Sequence, residues 1–117
     1  MRHWQKVVIN ACEQCGRSTL PGLGRPVDCM SWLDAGPAGE TRILLEPQAE
    51  NTLTSLGAPR QPVLLLIGPE GGVSDAERAC AGSAGFTPIS LGPRVLRTET
   101  ASLAVLAGLQ SLWGDFR

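Results

Sequence analysis

Two short, uninterrupted apolar runs constrain the fold of this chain more than any other feature. They occupy residues 42–45 and Val63–Ile67, with Gly and Pro residues close on either side. Runs of this length without alternating polar residues are typical of strands buried on both faces. Because such strands are usually parallel and covered by helices, the two runs predict an α/β fold built around a parallel sheet flanked by helices.

The segments around these runs alternate in type. Their patterns predict a third strand over 86–91 and helices over 4–15, 27–34, 48–56, 74–83 and Thr98–Trp113. The fourth helix has the clearest start, because Ser74 and Glu77 have the Ser-x-x-Glu spacing of a capping box. Two Gly-rich loops, 68–72 and 92–97, each follow a strand. This order predicts right-handed crossovers within a single domain over residues 1–117.

Charge and composition argue against several classes of protein. Ten Lys and Arg residues against eleven Asp and Glu residues give a net charge of -1. The chain therefore has no overall basic field to hold it on nucleic acid or on an anionic membrane, and any contact with a polyanion must be local. Charges and prolines interrupt the apolar stretches, which argues against a membrane span. The sequence has no signal-peptide pattern, so we expect a cytoplasmic protein with reduced cysteines.

The cysteines do not form a convincing metal or redox motif. Cys12 and Cys15 have the C-x-x-C spacing, but a structural zinc site normally needs a second pair, and Cys29 and Cys80 are single. The pair also falls near a helix C-terminus, where thiolate is disfavoured. With His3 as its one histidine, the chain is a poor candidate for nucleophilic catalysis of the Ser-His-Asp kind. We predict no metal site.

The loop at residues 68–72 is a candidate ligand site. It contains three glycines and a proline, and it matches neither the dinucleotide fingerprint nor the phosphate-binding P-loop. Glycines allow close backbone approach, so amide and carbonyl groups of the loop could bond the polar edge of a small ligand. The alternative is an ordinary tight turn between a strand and a helix. In open α/β sheets, ligands bind beyond the carboxyl ends of the strands, where this loop and the next one lie.

The second loop and the helix after it place charged residues together. Arg94 and Arg97 precede Glu99 at the start of a helix, where an anionic substrate group would be favoured. Alternatively, Glu99 pairs with one of the arginines and stabilises the turn. Small residues at 101, 104, 107 and 108 form one face of this helix, which could pack in the core or against a second subunit.

Three segments carry a resemblance to a known family. Residues 11–17, residues 66–72 with Ser74 and Glu77, and residues 91–101 resemble the ribosomal small-subunit RNA methyltransferase E family. The resemblance covers nearly all of the chain. It implies methylation of N3 of a uridine in 16S ribosomal RNA with S-adenosylmethionine, and a SPOUT fold whose C-terminal part is threaded into a trefoil knot. Family members are about twice as long, so the chain is expected to be an N-terminally truncated catalytic domain without the RNA-binding domain.

The resemblance also implies roles for individual residues. Arg94 and Arg97 would hold the uracil carbonyls or an adjoining phosphate, and Glu99 would orient Arg97 or accept a proton. Glu46 stands where many family members have His. The expected partners are 16S ribosomal RNA and a second copy of the chain. The residues expected to contact the cofactor are Leu45, Ile67, Gly68, Glu70, Gly71, Gly72, Leu91, Gly92, Val95 and Leu96.

A second function is compatible with the same residues. The chain could be a non-catalytic remnant of such an enzyme that keeps the dimerising fold and the cofactor site. The net charge of -1 favours this alternative for the chain taken alone.

Overall fold

The computed structural model of the chain describes residues 2–37, 39–60 and 62–116. In chain order the elements are α1 (Arg2–Cys15), α2 (Cys29–Asp34), β1 (Thr41–Leu45), a single 3-10 turn (Leu53–Ser55), β2 (Val63–Ile67), α3 (Asp75–Ser83), β3 (Thr87–Ile89) and α4 (Thr98–Trp113). None of the helices in these ranges is long and apolar enough to cross a membrane.

The three strands form a parallel sheet in the order β2-β1-β3. This confirms the predicted α/β architecture with a parallel sheet. Burial on both faces is confirmed for β1, the central strand, where Ile43 and Leu44 are 0% and 1% exposed. For β2 the prediction holds in part, because its side chains pack against both apolar layers but all five residues are only half-buried. The reason is position, because β2 has a single neighbouring strand among the residues that the structure describes.

Two apolar layers cover the sheet. On one face α2 and α3 pack over a cluster of Leu33, Leu44, Ala81 and Phe86. On the other face α4 and the 3-10 turn pack over a cluster of Ile43, Leu53, Ile89 and Val105. Successive residues of β1 therefore point to opposite layers, as the pleat of a strand requires.

Helix α3 begins as its sequence predicts. The Ser74 hydroxyl accepts a hydrogen bond from the Glu77 amide at 3.1 Å, and the Glu77 carboxylate accepts one from the Ser74 amide at 2.8 Å. This reciprocal pair is the predicted capping box, and it satisfies two amides that the first helical turn leaves unpaired. The hydrogen bond from the Ser74 amide to the carboxylate lowers the pKa of Glu77.

The predicted helix over 48–56 is wrong, because the structure has only the 3-10 turn Leu53–Ser55 there. The preceding backbone is held elsewhere, since the Asn51 carbonyl accepts a hydrogen bond from the Ser90 amide at 2.8 Å. Strand β3 ends at Ile89 instead of the predicted residue 91, and the next residue, Ser90, forms an isolated bridge with Thr52. Helix α2 begins at Cys29 instead of 27, because the Asp28 carboxylate caps it by accepting from the Ser31 amide at 3.0 Å.

The small-residue face of α4 meets the core at Gly108, whereas Ala107 is exposed. A Cβ atom added at Gly108 would lie 2.8 Å from Leu53 Cδ1, so the helix approaches the core closely at that residue. The outer face instead exposes Leu103 and Leu106, which are 72% and 50% accessible. Of the two alternatives for the small residues, packing within the core therefore holds at Gly108.

Candidate functional site

A cavity of about 500 Å³ opens at the carboxyl ends of the three strands. Its size lies within the range of small-molecule sites, and its position is the one at which open α/β sheets bind ligands. Three loops form its walls, one after each strand. The lining residues are Leu45, Glu46, Pro47, Ile67, Gly68, Pro69, Glu70, Gly72, Val73, Ile89, Ser90, Leu91, Arg94, Val95, Leu96, Arg97, Thr98 and Ala101.

The loop after β2 requires glycine at two positions, for different reasons. Gly72 has φ +78°, in the left-handed region, and its amide donates to the Pro69 carbonyl at 2.8 Å to close the turn. A Cβ atom at Gly68 would lie 3.0 Å from Val73 Cγ1 and 3.2 Å from the Val73 amide nitrogen. A side chain at either position would deform the loop. Because glycine has none, the backbone groups at these two positions are left uncovered.

The loop after β3 is joined to the loop after β2 by one side chain. The Thr98 hydroxyl donates to the Gly68 carbonyl at 2.9 Å, across 30 residues of sequence. This bond connects the first residue of α4 to the second wall of the cavity. Arg97, just before Thr98, has the extended backbone of a helix N-cap, and its side chain makes no capping hydrogen bond.

The loop after β1 carries a partly buried ion pair of the site. Arg78 Nε donates to Glu46 Oε2 at 2.6 Å, and Arg78 Nη1 donates to Asp75 Oδ1 at 2.7 Å. The Glu46 side chain is 11% exposed, so the arginine fixes it within the wall. The hydrogen bond from Arg78 to Glu46 and the charge of that carboxylate raise the pKa of Arg78. The Glu46 amide donates to the Ile89 carbonyl at 2.9 Å, which binds this loop to β3.

Most of the residues expected at a cofactor site meet in this cavity. Eight of the ten lie in its lining, namely Leu45, Ile67, Gly68, Glu70, Gly72, Leu91, Val95 and Leu96, whereas Gly71 and Gly92 do not. Arg94 and Arg97 also lie in the lining, and both are exposed. Glu99 lies outside it, and no ion pair joins it to Arg94 or Arg97 in the part of the chain that the structure describes.

Sequence reasoning missed the polar groups that hold the walls together. Arg78, Ser90 and Thr98 were not singled out as site residues, yet each fixes a wall through a partner at least 30 residues away in sequence. The Thr98 position carried a signal, because it starts a helix directly after a Gly-rich loop. The pairing of Arg78 with Glu46 carried no sequence signal, because both residues have the pattern of ordinary surface charges.

The cysteines lie away from the cavity. Cys12 is buried at 6% exposure in the last turn of α1, and Cys80 Sγ donates to Asp34 Oδ1 at 3.4 Å. Burial and this hydrogen bond raise the pKa of Cys80, and burial with nearby carboxylates raises that of Cys29. Within residues 2–37, 39–60 and 62–116, no three His, Cys, Asp or Glu side chains are grouped so that they could hold a metal ion.

Comparison with known proteins gives a consistent result. Residues 1–110 match the family model described as an RNA methyltransferase domain. The chain is 42% identical over 113 residues to a ribosomal RNA small subunit methyltransferase E from Buchnera aphidicola, a match that covers 97% of this chain and 46% of that protein. It spans about half the length of the curated relatives it matches.

Two solved structures are similar throughout the chain. A ribosomal RNA small subunit methyltransferase E from Neisseria gonorrhoeae, bound to S-adenosylmethionine, superposes with a TM-score of 0.92 at 40% identity and covers 99% of this chain and 49% of its own. A protein from Legionella pneumophila, described as a methyltransferase in complex with the same cofactor, superposes with a TM-score of 0.91 at 41% identity. That match covers 97% of this chain and 47% of the other.

Proposed function

The chain belongs to the RNA methyltransferase domain family, among the ribosomal RNA small subunit methyltransferases E, and on that premise we propose that it is the cofactor-binding catalytic domain of a ribosomal RNA methyltransferase. The donor would be S-adenosylmethionine, and the acceptor would be N3 of a uridine in 16S ribosomal RNA. The observation that carries the proposal is the cavity itself. Its three walls meet at the carboxyl ends of parallel strands, and relatives with about 40% identity were solved with that cofactor bound.

The residues present fit the cofactor. Gly68 and Gly72 present no side chains at their positions in the second wall, which allows the adenosyl group to approach amides and carbonyls there directly. Apolar side chains of Leu45, Ile67 and Leu91 provide surfaces for an aromatic base. When bound, S-adenosylmethionine supplies an already activated methyl group, so the protein contributes mainly position and charge.

Arg94 and Arg97 would act on the RNA. Both residues belong to the lining and are exposed, and no ion pair engages either of them among the described residues. A guanidinium can donate to a uracil carbonyl and stabilise the negative charge that develops as N3 loses its proton. Glu99, in the first turn of α4, is the candidate to orient Arg97 or to accept that proton.

We further propose a homodimer, located in the cytoplasm, with the C-terminal trefoil knot that the family resemblance implies. The outer face of α4 supports the dimer, because Leu103 and Leu106 are exposed on it, at 72% and 50%. Exposed apolar residues on one helix face are typical of subunit contacts. Sedimentation should show a dimer at tens of micromolar, on the order of assay concentrations, and Leu103→Asp with Leu106→Asp should give monomers. A monomeric wild-type chain would refute this part.

Methylation of unmodified small ribosomal subunits with a tritiated methyl donor tests the reaction, followed by mass mapping of the product. We expect N3-methyluridine, at a low rate for this chain because its net charge of -1 provides few phosphate contacts. Arg97→Ala should lower the rate much more than the affinity for S-adenosylhomocysteine, because Arg97 is assigned to the RNA. A methyl group on another atom would contradict the proposed substrate.

The same net charge favours a second candidate, a non-catalytic domain that keeps the cofactor cavity and the dimer face. Calorimetry with S-adenosylhomocysteine separates the two. Binding with methylation supports the enzyme, and binding without methylation on any ribosomal substrate supports the second candidate. Absence of binding by a folded sample contradicts both.

A further inference from the structure

Glu46 is the one carboxylate that the protein holds rigidly in the described part of the cavity wall. Its side chain is 11% exposed, and Arg78 Nε donates to its Oε2 atom at 2.6 Å. Arg78 is itself held by Asp75 at the start of α3, at 2.7 Å. The carboxylate is therefore held in the wall by Arg78, which pairs in turn with the fully exposed carboxylate of Asp75.

One oxygen of this carboxylate is available to a ligand. Oε2 bonds Arg78, whereas Oε1 has no hydrogen-bond partner among the residues that the structure describes. A carboxylate oxygen can accept two hydrogen bonds, so Oε1 and the second lone pair of Oε2 can accept from donors on a ligand. A ligand group that carries hydrogen-bond donors is therefore complementary to the free acceptor sites of Glu46.

The other polar side chains of the lining are weaker or less firmly held acceptors. The hydroxyls of Ser90 and Thr98 donate to backbone carbonyls, at 3.4 Å and 2.9 Å, and keep acceptor lone pairs, but they carry no charge. Glu70 is an acceptor, but it is exposed in the loop after β2 and no hydrogen bond fixes its side chain within the described residues. Glu46 is therefore the charged side-chain acceptor that an ion pair holds in the described lining.

The position of Glu46 favours the middle of an elongated ligand. It follows β1, the central strand, with the wall after β2 on one side and the wall after β3 on the other. S-adenosylmethionine has three parts in a row, in which the ribose joins the adenine to the methionyl group. A cofactor whose adenine and methionyl groups contact the two outer walls would have its ribose, with two neighbouring hydroxyl donors, near the end of β1 and Glu46.

The ribose hydroxyls match this acceptor chemically. Arg78 is shared between Glu46 and Asp75, so the Glu46 carboxylate keeps negative charge and is a strong acceptor for hydroxyl donors. Two neighbouring hydroxyls on a ribose can reach the free acceptor sites of one carboxylate together.

From this geometry we propose that Glu46, fixed by Arg78, accepts hydrogen bonds from the ribose hydroxyls of S-adenosylmethionine. The assignment rests on the proposed function, since it requires that this cofactor occupies the cavity. It makes Glu46 a determinant of specificity for ribose over deoxyribose.

Titration calorimetry on the intact chain tests the assignment with S-adenosylhomocysteine and its 2′,3′-dideoxy analogue. Glu46→Gln keeps the size of the side chain and removes its charge, so it should weaken binding of S-adenosylhomocysteine about tenfold. The same substitution should change binding of the dideoxy analogue by less than about twofold, because the hydroxyl donors are gone. Glu50→Gln is the matched control, because Glu50 is exposed and lies outside the lining.

Each other outcome contradicts the assignment. An equal loss for both ligands would show that Glu46 acts only on the structure of the loop. A loss that disappears with methylthioadenosine, which lacks the amino acid part, would place the contact at the ammonium group. If Glu46→Gln does not fold, the wild-type chain still decides, because it should bind the dideoxy analogue about tenfold more weakly than S-adenosylhomocysteine. Equal wild-type affinities would refute the inference, and no wild-type binding at all would refute the proposed function with it.

Discussion

Replacing Gly68 by Ala is expected to lower both the stability of the domain and its affinity for S-adenosylhomocysteine. The added Cβ would lie 3.0 Å from Val73 Cγ1, 3.2 Å from the Val73 nitrogen and 3.4 Å from the Gly72 carbonyl carbon. Two of these three atoms belong to the backbone, so a rotamer change of Val73 cannot relieve the overlap. The loop itself must move by a few tenths of an ångström.

Overpacking of this kind costs about 1–3 kcal/mol. The loop that moves is the second wall of the cavity and carries the Gly68 carbonyl that accepts from Thr98. A ligand that fits the original wall must restore it against the same strain, so we expect a Kd about tenfold higher, equivalent to about 1.4 kcal/mol. Urea denaturation measures the free energy of unfolding, and calorimetry measures the Kd.

Gly71→Ala is the matched control in the same loop. A Cβ atom there meets nothing within 4 Å, φ is not in the left-handed region, and the residue lies outside the cavity lining. We expect its free energy of unfolding to change by less than about 0.5 kcal/mol. The reasoning is refuted if Gly68→Ala keeps wild-type stability and affinity, or if Gly71→Ala loses as much.

Three further outcomes are expected. Thr98→Val should lower the free energy of unfolding by about 1 kcal/mol and weaken S-adenosylhomocysteine binding, because the hydrogen bond to the Gly68 carbonyl is lost. Urea denaturation measures the free energy of unfolding, and calorimetry measures the binding. The pKa of Glu77 is lowered, so its charge stabilises the fold fully above the ordinary pKa of 4.5 and less as pH falls through the lowered value. The difference in Tm between wild type and Glu77→Gln should therefore shrink in acid. Exposed Cys15 should react with iodoacetamide faster than Cys80, whose pKa burial raises, as peptide mass mapping over time would show.

Local signals predicted the elements whose hydrogen bonds are local. The capping box at Ser74 and the limits of α4 are examples, because the groups that define them lie within a few residues of each other. The segment 48–56 failed for the opposite reason. Its backbone is captured by Ser90, 39 residues from Asn51, and no pattern within the segment records that contact.

The candidate site shows the same division. Glycines and arginines could be placed at the cavity from the loops that carry them, because the ends of parallel strands meet at one edge of a sheet. The ion pair of Glu46 and Arg78 spans 32 residues and depends on how α3 packs beside β1. The burial of Glu46 follows from that packing, so its role could be inferred only from the structure.

The three walls come from chain segments centred near residues 46, 70 and 94, and each wall is fixed by a partner from another segment. No stretch of the chain can assemble the cavity alone, so the site exists only after both crossovers of the sheet are complete. Early folding intermediates would not bind the ligand, and the ligand would stabilise only the finished domain. In refolding, ligand binding would therefore report the last step of assembly, and ligand should slow unfolding without accelerating the first collapse of the chain.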